Sequence, residues 1–93
     1  MINVNEYFDG KVKSLAFENA KGKATAGVML AGEYEFGTST VEHMLVTAGT
    51  LHVQMPGETT WTTYKLHDTF DIASGIRFKV KTDESSSYIC YYE

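Results

Sequence analysis

Glu42-His43-Met44-Leu45-Val46-Thr47-Ala48-Gly49-Thr50-Leu51-His52-Val53-Gln54-Met55-Pro56-Gly57 is the stretch that decides how the chain folds. Two runs, mostly apolar and β-branched, meet at Gly49-Thr50, and Pro56-Gly57 closes the second. Such residues suit a pleated, half-buried surface, and glycine and proline punctuate it. Two strands about a glycine turn are therefore expected. Runs like these line the inside of a small barrel, which the rest of the chain would complete.

Upstream, Tyr7-Phe8-Asp9-Gly10 ends in an Asp-Gly turn signal. Tyr7 and Phe8 beside it are read either as a hydrophobic plug on the barrel or as part of a pocket wall. Lys11 to Glu18 alternates as a half-exposed strand, and Ala24 to Leu30 forms another. Gly27 inside it implies a bulge or a close approach by another group. Glu33-Tyr34-Glu35-Phe36 alternates acid and aromatic, so one face is all carboxylate and the other all aromatic. Either face fits an interior, a polar lumen in one case and an aromatic core in the other.

Downstream, Trp61 to Tyr64 and Thr69 to Ile72 read as short strands around the turn Lys65-Leu66-His67-Asp68. In Ile76-Arg77-Phe78-Lys79-Val80-Lys81 the apolar and basic faces separate cleanly. The chain ends in Tyr88-Ile89-Cys90-Tyr91-Tyr92, dense in strand formers. No segment holds a helical period over three turns. The expectation is about eight or nine short strands, spaced roughly 8–12 residues apart, as in a sandwich or closed barrel.

The 93 residues make one domain, residues 1–93. A domain this small has a thin stability margin, and a second copy would enlarge its core; a homodimer is expected. Twelve acidic against 8 basic residues leave a formal charge of -4, which argues against a nucleic-acid partner. No run approaches the ~18 apolar residues of a membrane span, and the amino terminus lacks a signal-peptide pattern. The single cysteine, Cys90, excludes an intrachain disulfide framework and reads as a buried small hydrophobe. A cytoplasmic setting is the default that follows.

The spacing of Glu42 and Gly49 resembles the end of the first motif of the cupin superfamily. Of the second motif, whose key places would fall on His67, Ala73, Gly75, Phe78 and Thr82, only Gly75 matches. The metal-binding histidines are missing, because residues 34–40 contain none and Phe78 stands where a later ligand would be. His43, His52 and His67 fall on separate elements without ligand spacing. The resemblance implies an all-β, cupin-like small β-barrel of jelly-roll type with no metal site.

A closer resemblance runs the length of the chain. Asn5-Glu6-Tyr7-Phe8, Gly10-Lys11-Val12-Lys13-Ser14, Gly32-Glu33-Tyr34-Glu35-Phe36, the half from Glu42 to Pro56 and the ending Ser87 to Tyr92 carry it. In length, order and spacing these are similar to the small bacterial pyrimidine/purine nucleoside phosphorylases. The resemblance implies phosphate-dependent cleavage of many nucleosides to free base and ribose 1-phosphate, with no cofactor. It brings no short catalytic motif.

That chemistry makes three demands. A cationic group must hold phosphate, a carboxylate suits the ribose hydroxyls, and aromatic rings suit a base of any kind. An acid would help the base leave. Glu42 is the first candidate for the sugar, by analogy with the inward-pointing cupin glutamate, with Glu35 as a second catalytic carboxylate. Arg77, the only arginine, and Lys13 are candidates for phosphate. Tyr7, Phe8, Tyr34 and Tyr91 are candidates for the base. Each has a plainer alternative as core, interface or solvated surface. Two other functions compete: a non-catalytic metal-free cupin module that holds a small sugar or nucleoside-like ligand, and a hydrolase that turns over without phosphate.

Overall fold

A computed structural model describes residues 1–93, and all regular structure in it is β. The ten strands are β1 (Asn3–Tyr7), β2 (Val12–Asn19), β3 (Gly22–Met29), β4 (Gly32–Gly37), β5 (Glu42–Ala48), β6 (Leu51–Gln54), β7 (Thr62–Tyr64), β8 (Thr69–Ile72), β9 (Arg77–Thr82) and β10 (Ser86–Tyr92). They form a six-stranded sheet in the order β1-β2-β3-β10-β5-β8 and a four-stranded sheet in the order β4-β9-β6-β7. Every pairing is antiparallel.

The expected closed barrel is not what forms. The two sheets share no hydrogen-bonded strand pair, so the architecture is two facing sheets with free edges. Alternation in a sequence tells which side of a strand is buried. It does not tell whether the last strand of one sheet meets the first of another, since closure depends on strand tilt and stagger. The count also rises from the expected eight or nine strands to ten.

The Glu42–Gly57 stretch is likewise not a hairpin. β5 lies in the six-stranded sheet and β6 in the four-stranded one, so Gly49-Thr50 is a corner between sheets. Gly49 has φ +74, and a Cβ there would come within 2.1 Å of Ser86 Oγ. That oxygen accepts from Thr50 N at 3.2 Å and bonds Thr82 Oγ1 at 2.9 Å. A glycine is needed at this corner for its left-handed backbone and for the close approach of Ser86.

Between the sheets sits a core of Val12, Met29, Met44, Val46, Leu51, Val53, Phe70, Ile72, Phe78, Val80 and their aromatic neighbours. Burying each such side chain stabilises the fold by about 1.5–3 kcal/mol. On β10 the same alternation turns Tyr88, Cys90 and Tyr92 inward and Ile89 and Tyr91 outward. The inner face of β10 therefore carries hydroxyls and a thiol as well as apolar surface. No helix in the structure is long and apolar enough to cross a membrane.

Candidate active site

The two sheets enclose a cavity of about 370 Å³ whose wall is mostly apolar. Its floor comes from two neighbouring strands in register. Glu42 of β5 stands opposite Tyr92 of β10, and Met44 opposite Cys90. The Cys90 thiol donates to Glu42 Oε1 at 3.5 Å, and the Tyr92 hydroxyl bonds Thr25 Oγ1 at 3.1 Å. Tyr88 lies across Gly27 of β3, where a Cβ would fall 2.2 Å from the ring carbon Cζ. The glycine that interrupts β3 is therefore the seat of an aromatic ring; of the two expectations at this position, a bulge or a close approach, the close approach is what forms.

One wall is aromatic. The turn after β1 holds Phe8 at φ 54 and Asp9 at φ 56, a left-handed pair closed by Gly10 N donating to Tyr7 O at 3.2 Å. A phenylalanine in this conformation is strained, and such strain gathers at functional sites. Neighbouring rings hold it: Phe8 packs on Tyr34 at 5.1 Å between centroids and edge-on to Phe36 at 5.6 Å. Tyr7 meets Phe36 edge-on at 5.9 Å. Tyr34 is buried and donates to Leu30 O at 2.7 Å. It buttresses Phe8 from behind and does not itself line the cavity. Tyr7 and Phe8 do line it, each roughly half exposed.

The mouth is charged. β4 turns Tyr34 and Phe36 towards the interior and Glu33 and Glu35 outward. Glu35 nevertheless reaches the cavity rim, where its Oε2 accepts from Arg77 Nη2 at 3.1 Å and Nε at 3.2 Å. Arg77 and Lys79 line an adjoining groove of about 220 Å³, which shares Glu35 and Phe78 with the cavity.

Electrostatics divide this site in two. Cations stand in the outer groove, and no lysine, arginine or histidine lines the cavity. Burial raises the pKa of Glu42, and the Cys90 hydrogen bond only partly opposes it. Burial and the neighbouring Glu42 push the Cys90 thiol up to about 12. It is a thiol, not a nucleophilic thiolate. Burial also raises Tyr88 and Tyr92, which stay neutral phenols able to donate.

The residues singled out from the sequence divide accordingly. Glu42, Glu35, Tyr7 and Phe8 meet at the cavity, Arg77 stands beside it and Tyr34 lies behind it. Lys13 and Tyr91 are on the opposite face of the six-stranded sheet, Lys13 with its Nζ 3.7 Å from Glu6 Oε2 and Tyr91 beside His43. Sequence reasoning missed Tyr88, Tyr92, Cys90 and Ser14 as lining residues, and Lys79 in the groove. The period-two spacing of Tyr88, Cys90 and Tyr92 put them on one face, but only the pairing with β5 shows that this is the face of Glu42. No cluster of three or more His, Cys, Asp or Glu converges as a metal set.

A family model described as pyrimidine/purine nucleoside phosphorylase matches residues 2–92. A pyrimidine/purine nucleoside phosphorylase of Marinobacter nauticus is 51% identical over 92 residues, covering 99% of each chain. A Vibrio parahaemolyticus structure of unknown function superposes with a TM-score of 0.95 at 41% identity, over 100% of this chain and 99% of that one. An RmlC-like cupin from Shewanella frigidimarina superposes at 0.72 with 14% identity, over 97% of this chain and 81% of that one, a likeness of fold alone. With the model covering nearly every residue and relatives this similar over their full length, the chain belongs to the pyrimidine/purine nucleoside phosphorylase family.

Proposed function

We propose that the chain is a broad-specificity nucleoside phosphorylase and that the cavity between its sheets is where the reaction occurs. One observation supports the placement: an aromatic wall and a half-buried carboxyl face one cavity whose mouth adjoins the only arginine. Phosphorolysis passes through an oxocarbenium-like state with phosphate as the incoming nucleophile. Phosphate is assigned to Arg77, with Lys79 beside it, where a guanidinium offers several donors at once. The base is assigned to the wall of Tyr7 and Phe8. Stacking there favours purines and pyrimidines alike, because every base has a π-face. Glu42 and Glu35 are assigned as the catalytic carboxyls.

The setting is cytoplasmic in this reading, and the working form is a homodimer. The outer face of the six-stranded sheet favours a second copy of the chain. Val4, Leu15, Ala26, Ile89 and Leu45 form one cross-strand row there, and Val4, Leu15, Phe17 and Val28 remain exposed. A contiguous apolar sheet face is unusual on a monomer. Sedimentation velocity should give a dimer mass for the wild type and a monomer for Leu15→Glu. A monomeric wild type at micromolar concentration rejects the assembly.

Chelator-treated protein offered inosine, guanosine, adenosine, uridine and cytidine tests the activity. Free base should appear only with inorganic phosphate, together with ribose 1-phosphate. Base release without phosphate makes the protein a hydrolase. Saturable binding without turnover makes it a binding module.

A further inference from the structure

Glu42 and Glu35 both border the cavity, yet their surroundings differ. Glu35 is exposed and its charge is shared with Arg77. Glu42 is set against apolar side chains, and its carboxylate oxygen accepts only a thiol, a weak donor. Around the cavity, β10 presents Tyr88, Cys90 and Tyr92, and the end of β1 presents Tyr7. Ser14 comes from β2 and Met29 from β3, while β9 adds Phe78 and Val80 and β8 sets Ile72 opposite Glu42. Glu35 on β4 is the only other carboxyl among the lining residues, and none of them is a cation.

A carboxylate that grips ribose hydroxyls works best as an anion. An anion in an apolar cavity without a cation is costly, and the neutral acid is the form such a place favours. We propose that Glu42 is the general acid of the phosphorolysis, carrying a proton into the reaction and giving it to the departing base, rather than binding the ribose as an anion. The proposal rests on the phosphorylase reading above and assigns a step within it. The C1′–N bond breaks with its electron pair going to the base. The Glu42 hydroxyl proton goes to a base nitrogen or carbonyl oxygen. An oxygen of hydrogen phosphate bonds C1′, and the proton that phosphate loses returns to the Glu42 carboxylate through water. Hydrogen phosphate and nucleoside thus become neutral base and ribose 1-phosphate, with Glu42 restored.

The same assignment accounts for breadth. A donor on a flexible side chain needs one acceptor on the base, an imidazole nitrogen in purines or a carbonyl oxygen in pyrimidines. No base-specific pair of hydrogen bonds is required.

The test compares wild type, Glu42→Gln and Glu42→Asp on guanosine, uridine and N7-methylguanosine, with folding followed by thermal melting. The base of N7-methylguanosine is already cationic and leaves without a proton. Glu42→Gln should lower kcat/KM on guanosine and uridine by about 10²–10⁴-fold and on N7-methylguanosine by less than about tenfold. Glu42→Asp, which keeps an acid, should recover part of the loss. Wild-type kcat/KM on guanosine and uridine should also fall as pH rises through the Glu42 pKa, a limb absent from Glu42→Gln. Equal losses on all three substrates overturn the proposal and make Glu42 a ribose ligand. No loss on any of them removes it from the chemistry. If the wild type shows no phosphate-dependent turnover of any substrate, the phosphorylase reading itself fails and takes this step with it.

Discussion

Arg77 places Nη2 and Nε on a single oxygen of Glu35, at 3.1 and 3.2 Å, instead of spanning both carboxylate oxygens. Its third nitrogen, Nη1, lies beside Gly37, where a Cβ would sit 3.4 Å away. Gly37 also lines the cavity. The guanidinium is thus fixed at one edge, with donors left over at the rim.

If those donors take phosphate, Arg77→Ala should raise the KM for phosphate by about 10–100-fold, the loss of a charge-assisted hydrogen bond or two. The KM for nucleoside should change far less. Arg77→Lys should recover only part, because an ammonium lacks the planar fork. Thermal stability should barely move, since an exposed pair of this kind is worth about 0–1 kcal/mol. Steady-state kinetics with phosphate varied decides it, and an unchanged phosphate KM in Arg77→Ala places the anion elsewhere.

Gly27 tests the floor of the cavity without replacing a polar group. A methyl there would meet Tyr88 Cζ at 2.2 Å and its hydroxyl oxygen at 2.4 Å, so the ring must swing off β3. The space it can swing into is the cavity. Gly27→Ala should cost about 1–3 kcal/mol of stability and lower kcat/KM at temperatures where the protein remains folded. Tyr88→Phe in the same background keeps the clash and should not restore activity, whereas Tyr88→Ala should relieve the destabilisation. Melting curves and kinetics on the three variants are sufficient, and wild-type activity in Gly27→Ala dissociates Tyr88 from the site.

Much of the strand pattern could be read from the sequence, because period-two alternation is local. Ile76 to Lys81 shows it plainly: Phe78 and Val80 are buried while Arg77 and Lys79 are exposed. Relations between strands are not local, and alternation does not carry them. Nothing in Gly49-Thr50 distinguishes a hairpin from a corner; the difference is made by Ser86, far along the chain, packing against Gly49. Closure into a barrel is a relation of the same kind, and the two sheets do not close. At the site, Glu42 could be picked from a motif likeness. Lys13 has equal chemical reason to hold phosphate, yet it is the neighbouring Ser14 that faces inward, and one residue of register moves a side chain to the other face of a sheet. The spacing of Tyr88 and Tyr92 puts both on one face, and only the pairing of β10 with β5 makes that the face of Glu42.

On the outer face of the same sheet, His43 holds two carboxylates, with Nδ1 2.7 Å from Asp71 and Nε2 2.8 Å from Glu93. The hydrogen bond to Asp71 first, and then that to Glu93, raise its pKa above the usual 6.5. A raised histidine contributes stability that is present in full below the unfolded value and lost as pH rises through the folded one. NMR titration of the imidazole should therefore show a midpoint above 6.5 that falls in Asp71→Asn and, by less, in Glu93→Gln. Amide exchange at the end of β10 should quicken as pH passes that midpoint, beyond the intrinsic pH dependence. A midpoint at or below the usual value would mean that the two carboxylates do not hold the ring in solution.

Glu42 has the same sign for a different reason. Its carboxyl is raised by burial, so the folded state binds its proton more tightly than the unfolded state does. Its favourable contribution is complete below the unfolded pKa and disappears as pH rises through the folded one; above both, a half-buried anion weighs against the fold. Glu42→Gln keeps the shape and removes that anion. The variant should melt higher than wild type at pH 8, with the gap closing as pH falls below the ordinary glutamate range. Each kcal/mol recovered appears as about 4–8 °C in Tm for a domain of this size. Gained stability together with lost turnover would mark a carboxyl kept for chemistry at the expense of the fold. A variant that melts lower than wild type at every pH would instead show that Glu42 holds the structure together as an anion, and its place in the cavity would need a structural explanation.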